Sequence, residues 1–159
     1  LCVGFGFCFV CCLLWWVFVI FVLVGGIEQA GIIHWVVQSV DRLTGNSPEL
    51  AMVFTVWISG LVSGVIDNIP FTVAALPVVD LLNQAIPATQ GNPVLYWALI
   101  FGADFGGNLT YVGGAANIVA IGLLSQAGYR ISFGRFARDG ALAVVTTLLA
   151  ATLWLWLRW

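Results

Sequence analysis

Long uncharged apolar runs alternate with short polar punctuation along this chain. No charged residue occurs from Leu1 to Ile27, and the stretch from Val3 to Gly26 (3–26) exceeds the roughly 20 apolar residues that a helix needs to cross a hydrocarbon core of about 30 Å. In lipid, an open segment satisfies its backbone polar groups only as a helix, so the run predicts a transmembrane span. It has no basic lead segment and no small-residue cleavage site, which excludes a removable signal peptide. From Glu28 to Val40 (28–40), apolar Ile32, Ile33, Trp35, Val36, Val37 and Val40 are mixed with Glu28, Gln29, His34 and Gln38. The segment is too short to cross and reads as an amphipathic helix lying in the interface. Asp41–Glu49 carries Gly, Asn, Ser and Pro and reads as a loop.

Two further apolar segments are interrupted by polar residues. Leu50–Leu82 (50–82) is broken by Asp67, Asn68 and Pro70, with Pro77 and Asp80 beyond. Two complete spans and a turn would need more than about 40 residues, so the segment predicts a re-entrant helical hairpin or one long interrupted helix. Such backbone is tolerated at membrane depth only where it is packed in protein or lines a wet cavity. Asn83–Pro93 is a second loop. The next helix, 94–126, starts with Tyr96 and Trp97 as an aromatic belt, but Gly102–Asn117 places five glycines, two asparagines, Asp104 and Thr110 inside apolar flanks. Glycine at that density does not hold a straight helix, and helix is expected to resume by Ile118. Ser125–Asp139 reads as a loop holding Arg130, Arg135 and Arg138, which the positive-inside rule assigns to the cytoplasm. The last span, 141–158, ends in a cluster of Trp154, Trp156 and Trp159.

Composition agrees with lipid as the solvent. Of 159 residues, 62% are hydrophobic and only 8% charged, against about 25% charged in soluble domains. The expected fold class is therefore all-α, a polytopic integral membrane protein. There is no lysine, and the net charge is −2, so the clustered cations that neutralise phosphates are missing and nucleic acid is excluded as a partner. Cys2, Cys8, Cys11 and Cys12 all lie in the first apolar run with no ligand-bearing neighbours, and read as small buried hydrophobes. No nucleophile-and-base spacing, phosphate loop or zinc pattern appears, so no enzyme activity and no resident cofactor are expected. Leu1 is not Met and the chain opens inside apolar material, so a longer parent protein is expected.

The interrupted helices are where chemistry is expected. Secondary transporters bind substrates and ions at discontinuous helices near the midplane. There, half-helix N-termini present N–H groups to anions, and unwound carbonyls coordinate cations. Asp67 is the first candidate, because an ionisable group inside the membrane is costly and usually faces a cavity or partner; its structural alternative is to cap the half-helix that follows. Asp104 carries the same cost, and Asn68, Asn108, Thr110 and Asn117 add neutral oxygens suited to Na+ or to an anion's hydrogen bonds. A carboxylate there can exchange a cation with protons, since burial raises its pKa and a bound cation lowers it. Ser59, Gly60, Ser63 and Gly64 form a small-residue face, read as close helix packing. A channel-like or structural membrane subunit is the rival from another class.

Two segments, VIDNIPFTVAALPVV (Val65–Val79) and GADFGGNLTYVGGAANIVAIGLL (Gly102–Leu124), resemble the signature segments in the C-terminal half of the ion transporter superfamily. That superfamily contains arsenite permeases, NhaD-type Na+/H+ antiporters, the melanosomal P protein and citrate-transporter-like permeases. FVLVGGIEQAG and YRISFGRFARDG resemble the flanking span and the lead-in to the last span. The resemblance implies two inverted repeats, each with an interfacial helix, a re-entrant hairpin and a discontinuous helix, often in a homodimer. Asp67, Asn68 and Pro70 would fall at the hairpin tip, and Gly106, Gly107, Asn108, Thr110, Gly113 and Asn117 in the break. It also implies a missing N-terminal repeat as partner, a small ion or anion as substrate, possible Na+ at Asn68, Asn108 and Asn117, and a multi-pass position in a bacterial inner (plasma) membrane. Na+/H+ antiport is one implied activity, and arsenite or carboxylate permeation the alternative. Cys8, Cys11 and Cys12 match nothing in that pattern.

Overall fold

The computed structural model describes residues 47–159, together with Trp15, Phe18, Val19, Val22, Gly26, Gln29, Ala30, Gly31 and Gly45. The expected first span, the interfacial helix and the four cysteines lie outside the described residues, but for a few isolated positions. Between residues 47 and 159 the helices are α1 (Pro48–Ser63), α2 (Asn68–Ala85), α3 (Val94–Gly106), α4 (Ala115–Gln126) and α5 (Phe133–Arg158), with a 3-10 turn at Pro87–Thr89. The protein is a helical membrane protein.

Each helix end has a local cause. Pro48 lies in the first turn of α1, where an N–H has no helical partner. Asp67 is the N-cap of α2, its carboxylate accepting from the Ile69 N–H at 3.4 Å, and Pro70 is tolerated because it still lies in the first turn. Helix α2 carries Pro77 inside it and continues to Ala85, past Leu82, ending before Ile86 and Pro87. Ser132 caps α5 through the Arg135 N–H at 3.4 Å. The final helix accordingly starts at Phe133 and takes in much of the segment expected as loop; with no proline present, Gly134 and Gly140 are carried inside a continuous helix.

Helix α3 is the centre of the bundle. Its Leu95, Ala98 and Leu99 are buried, and they form one apolar cluster with Val56 of α1, Val79 and Leu82 of α2, Leu148 and Leu155 of α5, and Ile86. Paired positions set the directions. Val56 of α1 meets Gly102 and Gly60 meets Gly106, the positions rising together, so α1 runs parallel to α3. Asp80 of α2 accepts from the Tyr96 hydroxyl at 2.5 Å near the start of α3, so α2 runs antiparallel to it. Trp154 packs edge-on against Phe101 while Gly140 abuts the backbone of Asn108, so α5 also runs antiparallel. The two arms of the hairpin each pack on α3 and leave between them a cavity of about 270 Å³ walled by Phe54, Ile58, Phe71, Ala75 and Val78.

The small-residue face of α1 explains why α1 and α3 fit so closely. Without a hydrophobic drive between helices in lipid, close backbone packing carries the association. A Cβ placed on Gly106 would fall on the backbone of Gly60, and one on Gly102 would lie 2.5 Å from the Val56 carbonyl. Helix α5 is, among the described residues, the helix long and apolar enough to cross a membrane by length and composition. Leu142, Leu149, Leu153 and Leu157 make an exposed apolar stripe along it.

Candidate functional site

The turn that joins α1 to α2, Gly64–Asp67, docks onto the unwound stretch between α3 and α4, residues 107–114. Three side chains make the joint. Ser63 Oγ donates to the Ala103 carbonyl at 2.6 Å. Thr110 Oγ1 donates to the Gly64 carbonyl at 2.6 Å and accepts from the N–H groups of Val112 and Gly113 at 3.2 and 3.3 Å. Asn117 reaches back from α4, its Nδ2 donating to the carbonyls of Gly107 at 2.9 Å and Thr110 at 3.1 Å. Gly107 and Gly113 come so close that a Cβ on Gly113 would lie 2.5 Å from the Gly107 carbonyl. Backbone groups freed by the break are thus bonded again within the protein, the condition for irregular backbone away from water.

Beside this knot lies an open pocket. Asn68, Ile69, Thr72 and Val73 of α2 and Ile100, Ala103 and Asp104 of α3 line a cavity of about 330 Å³. Thr72 Oγ1 donates to the Asn68 carbonyl at 2.7 Å, and Pro77 offers no N–H to the carbonyl of Val73. No described side chain bonds or ion-pairs with the Asp104 carboxylate; the described ion pair is Arg138–Asp139 at 3.4 Å. A carboxylate, an amide and a hydroxyl in an otherwise apolar wall form a hard-oxygen set suited to a small cation or a proton.

The sequence-selected residues therefore divide. Asn68 and Asp104 share the pocket. Thr110, Asn117, Gly106, Gly107 and Gly113 build the knot. Asp67 is half-buried at the tip and caps α2, and Pro70 sits in the first turn behind it; neither lines the pocket. Asn108 is exposed, with its amide directed along the end of α3 to the Asp104 and Phe105 carbonyls at 3.5 and 3.4 Å. Asn68, Asn108 and Asn117 do not converge on the pocket, because Asn117 is committed to carbonyls of the break and Asn108 follows the α3 axis. Thr72 and Ser63 were not singled out by sequence as site-forming, although Thr72 lies one helical turn after Asn68, on the same face.

Depth is also set by α5. The knot lies level with Gly140, whose Cβ position would be 2.5 Å from the Asn108 carbonyl. That position is about 10 Å from Phe133 and about 27 Å from Arg158 along the helix, where the apolar run of α5 begins.

Residues 13–159 match the family described as citrate transporter. The chain belongs to the citrate transporter family. A 46 kDa membrane protein of Mycobacterium leprae is 39% identical over 140 residues, which is 88% of this chain and 33% of that protein. The P protein of Homo sapiens is 39% identical over 126 residues, 76% of this chain and 15% of that protein. An uncharacterized transporter of Synechocystis is 33% identical over 153 residues, 87% of this chain and 34% of that protein. No solved structure matches. The chain spans about a third of the length of its mycobacterial relatives. The citrate transporter family and its transporter-named relatives are transporters rather than enzymes, and they agree with the ion transporter superfamily resemblance read from the two signature segments.

Proposed function

We propose that this chain is the C-terminal repeat of a secondary active transporter of small ions or anions, multi-pass in a bacterial plasma membrane, whose pocket of Asn68, Thr72 and Asp104 takes the coupling cation, Na+ or H+. One observation carries the reading: the Asp104 carboxylate, exposed and without a partner among the described residues, lines an open groove between the apolar faces of α2 and α3, and an unpaired carboxylate is retained in membrane segments where something polar must bind. The α1–α2 pair acts as a re-entrant hairpin, and because its tip is bonded to the break, tip and break move as one body during alternating access. The first inverted repeat, from the remaining length of the parent protein, closes the site, and the assembled carrier is a homodimer.

A carboxylate as cargo is the reading favoured by the family's description. It is also supported by the start of α4, where Gly114 supplies no side-chain cap, so the positive end of the helix is open to an anion at the break. Flux in proteoliposomes of the full-length protein tests both parts. Expected is saturable uptake driven by an imposed Na+ or pH gradient, with the cargo sorted by whether Na+, arsenite or citrate dissipates that gradient. A linear, unsaturable conductance would replace the carrier with a channel-like subunit.

A further inference from the structure

Away from the pocket, the end of α4, the residues that follow it and the first turns of α5 border an open cavity of about 590 Å³. Leu124, Phe136 and Ala143 form an apolar wall, and Tyr129, Arg130 and Arg135 form the rim. Asp139 also lines it, but its carboxylate is held by Arg138 at 3.4 Å. Arg130 and Arg135 have no acidic partner among the described residues. We propose that this cavity binds an anionic phospholipid, its phosphate between Arg130 and Arg135 and one acyl chain along the Leu124–Ala143 wall.

The argument is one of charge, shape and depth together. Three of the five cationic side chains in the sequence fall within Arg130–Arg138, the end that the positive-inside rule places in the cytoplasm, where anionic lipid is enriched. Basic pockets between membrane helices on that side hold lipid headgroups. The apolar run of α5 begins beyond Gly140, which itself lines the cavity, so the arginines sit at headgroup level and the apolar wall below it. Tyr129, exposed at the rim, is an amphipathic ring of the kind found at that boundary. A free inorganic anion would use the arginines but leave the apolar wall uncovered. The site also touches the break, because the Tyr111 hydroxyl donates to the carbonyl of the lining residue Ile131 at 2.6 Å.

Native mass spectrometry of the full-length protein, equilibrated with phosphatidylglycerol or phosphatidylcholine, tests the proposal. Retention of phosphatidylglycerol is expected to exceed that of phosphatidylcholine by about tenfold, to fall to parity in the Arg130→Gln/Arg135→Gln double variant, and to persist in Arg158→Gln. Ala143→Trp, which fills the wall and keeps both arginines, is expected to reduce retention as well. An undiminished preference in either the double variant or Ala143→Trp overturns the assignment. Displacement of the lipid by inorganic phosphate at equal concentration would also overturn it, making the cavity an anion site rather than a lipid site.

Discussion

The knot at the break and the pocket beside it are made of the same kinds of residue, yet their polar atoms have opposite fates. In the knot, Thr110 and Asn117 bond to backbone carbonyls of the tip and break. In the pocket, separated from the knot by about one turn of α3, Asp104 and Asn68 line open space. The difference lies in what each must satisfy. An interrupted helix exposes N–H and C=O groups that are costly in an apolar setting, so the side chains nearest the interruption are taken up in repairing it. A residue still inside regular helix has no backbone to repair and remains free for a ligand. Polar residues at a broken helix are thus of two kinds, frame and site.

Substitutions at four positions in the full-length protein can break or sharpen this division. The largest effect is expected from Gly106→Leu, whose side chain would have to enter the backbone of Gly60; overpacking of this kind should cost about 3 kcal/mol or more and be seen as loss of a monodisperse, folded species in detergent. Asp104→Asn should follow, with gradient-coupled flux down by an order of magnitude or more while the melting temperature stays near that of the parent. Equal loss of melting temperature and flux would make Asp104 a frame residue. Thr110→Val should destabilise by about 1–3 kcal/mol, since the Gly64 carbonyl loses its donor and two N–H groups lose their acceptor. Thermal melting should also show Thr110→Ser recovering most of that loss. Asp67→Asn should change stability least, by a few tenths of a kcal/mol, because asparagine caps a helix about as well as aspartate. Its flux should fall less than that of Asp104→Asn. The reverse order would move the ion from the pocket to the tip.

Much of the architecture was legible because lipid leaves few options. Apolar runs with no charge must be helices, and the placement of Asp67–Pro70 and of Gly102–Asn117 marked both interruptions. The Ser59–Gly64 face announced a close helix approach, and Gly60 meets Gly106 there. Less legible was the end of α5. Arg135, Arg138 and Asp139 read as loop, yet they continue the helix to Phe133, because charged residues disfavour lipid without disfavouring helix. Asp67 attracted attention by its cost in hydrocarbon, and the cap it supplies to α2 is an equally sufficient reason for its presence.

What the sequence determined by itself is the solvent, the helical class and the position of the breaks, which follow from local composition and spacing, and the family, which follows from likeness to known sequences. The tertiary structure alone decided which polar side chains repair the backbone and which stay open, because that depends on partners forty or more positions apart, Thr110 with Gly64 and Ser63 with Ala103 at separations of 46 and 40. It also decided the level of the break along the bundle. The level of the knot at Gly140 follows from α5 running back along α3, a relation between helices that no stretch of either one encodes.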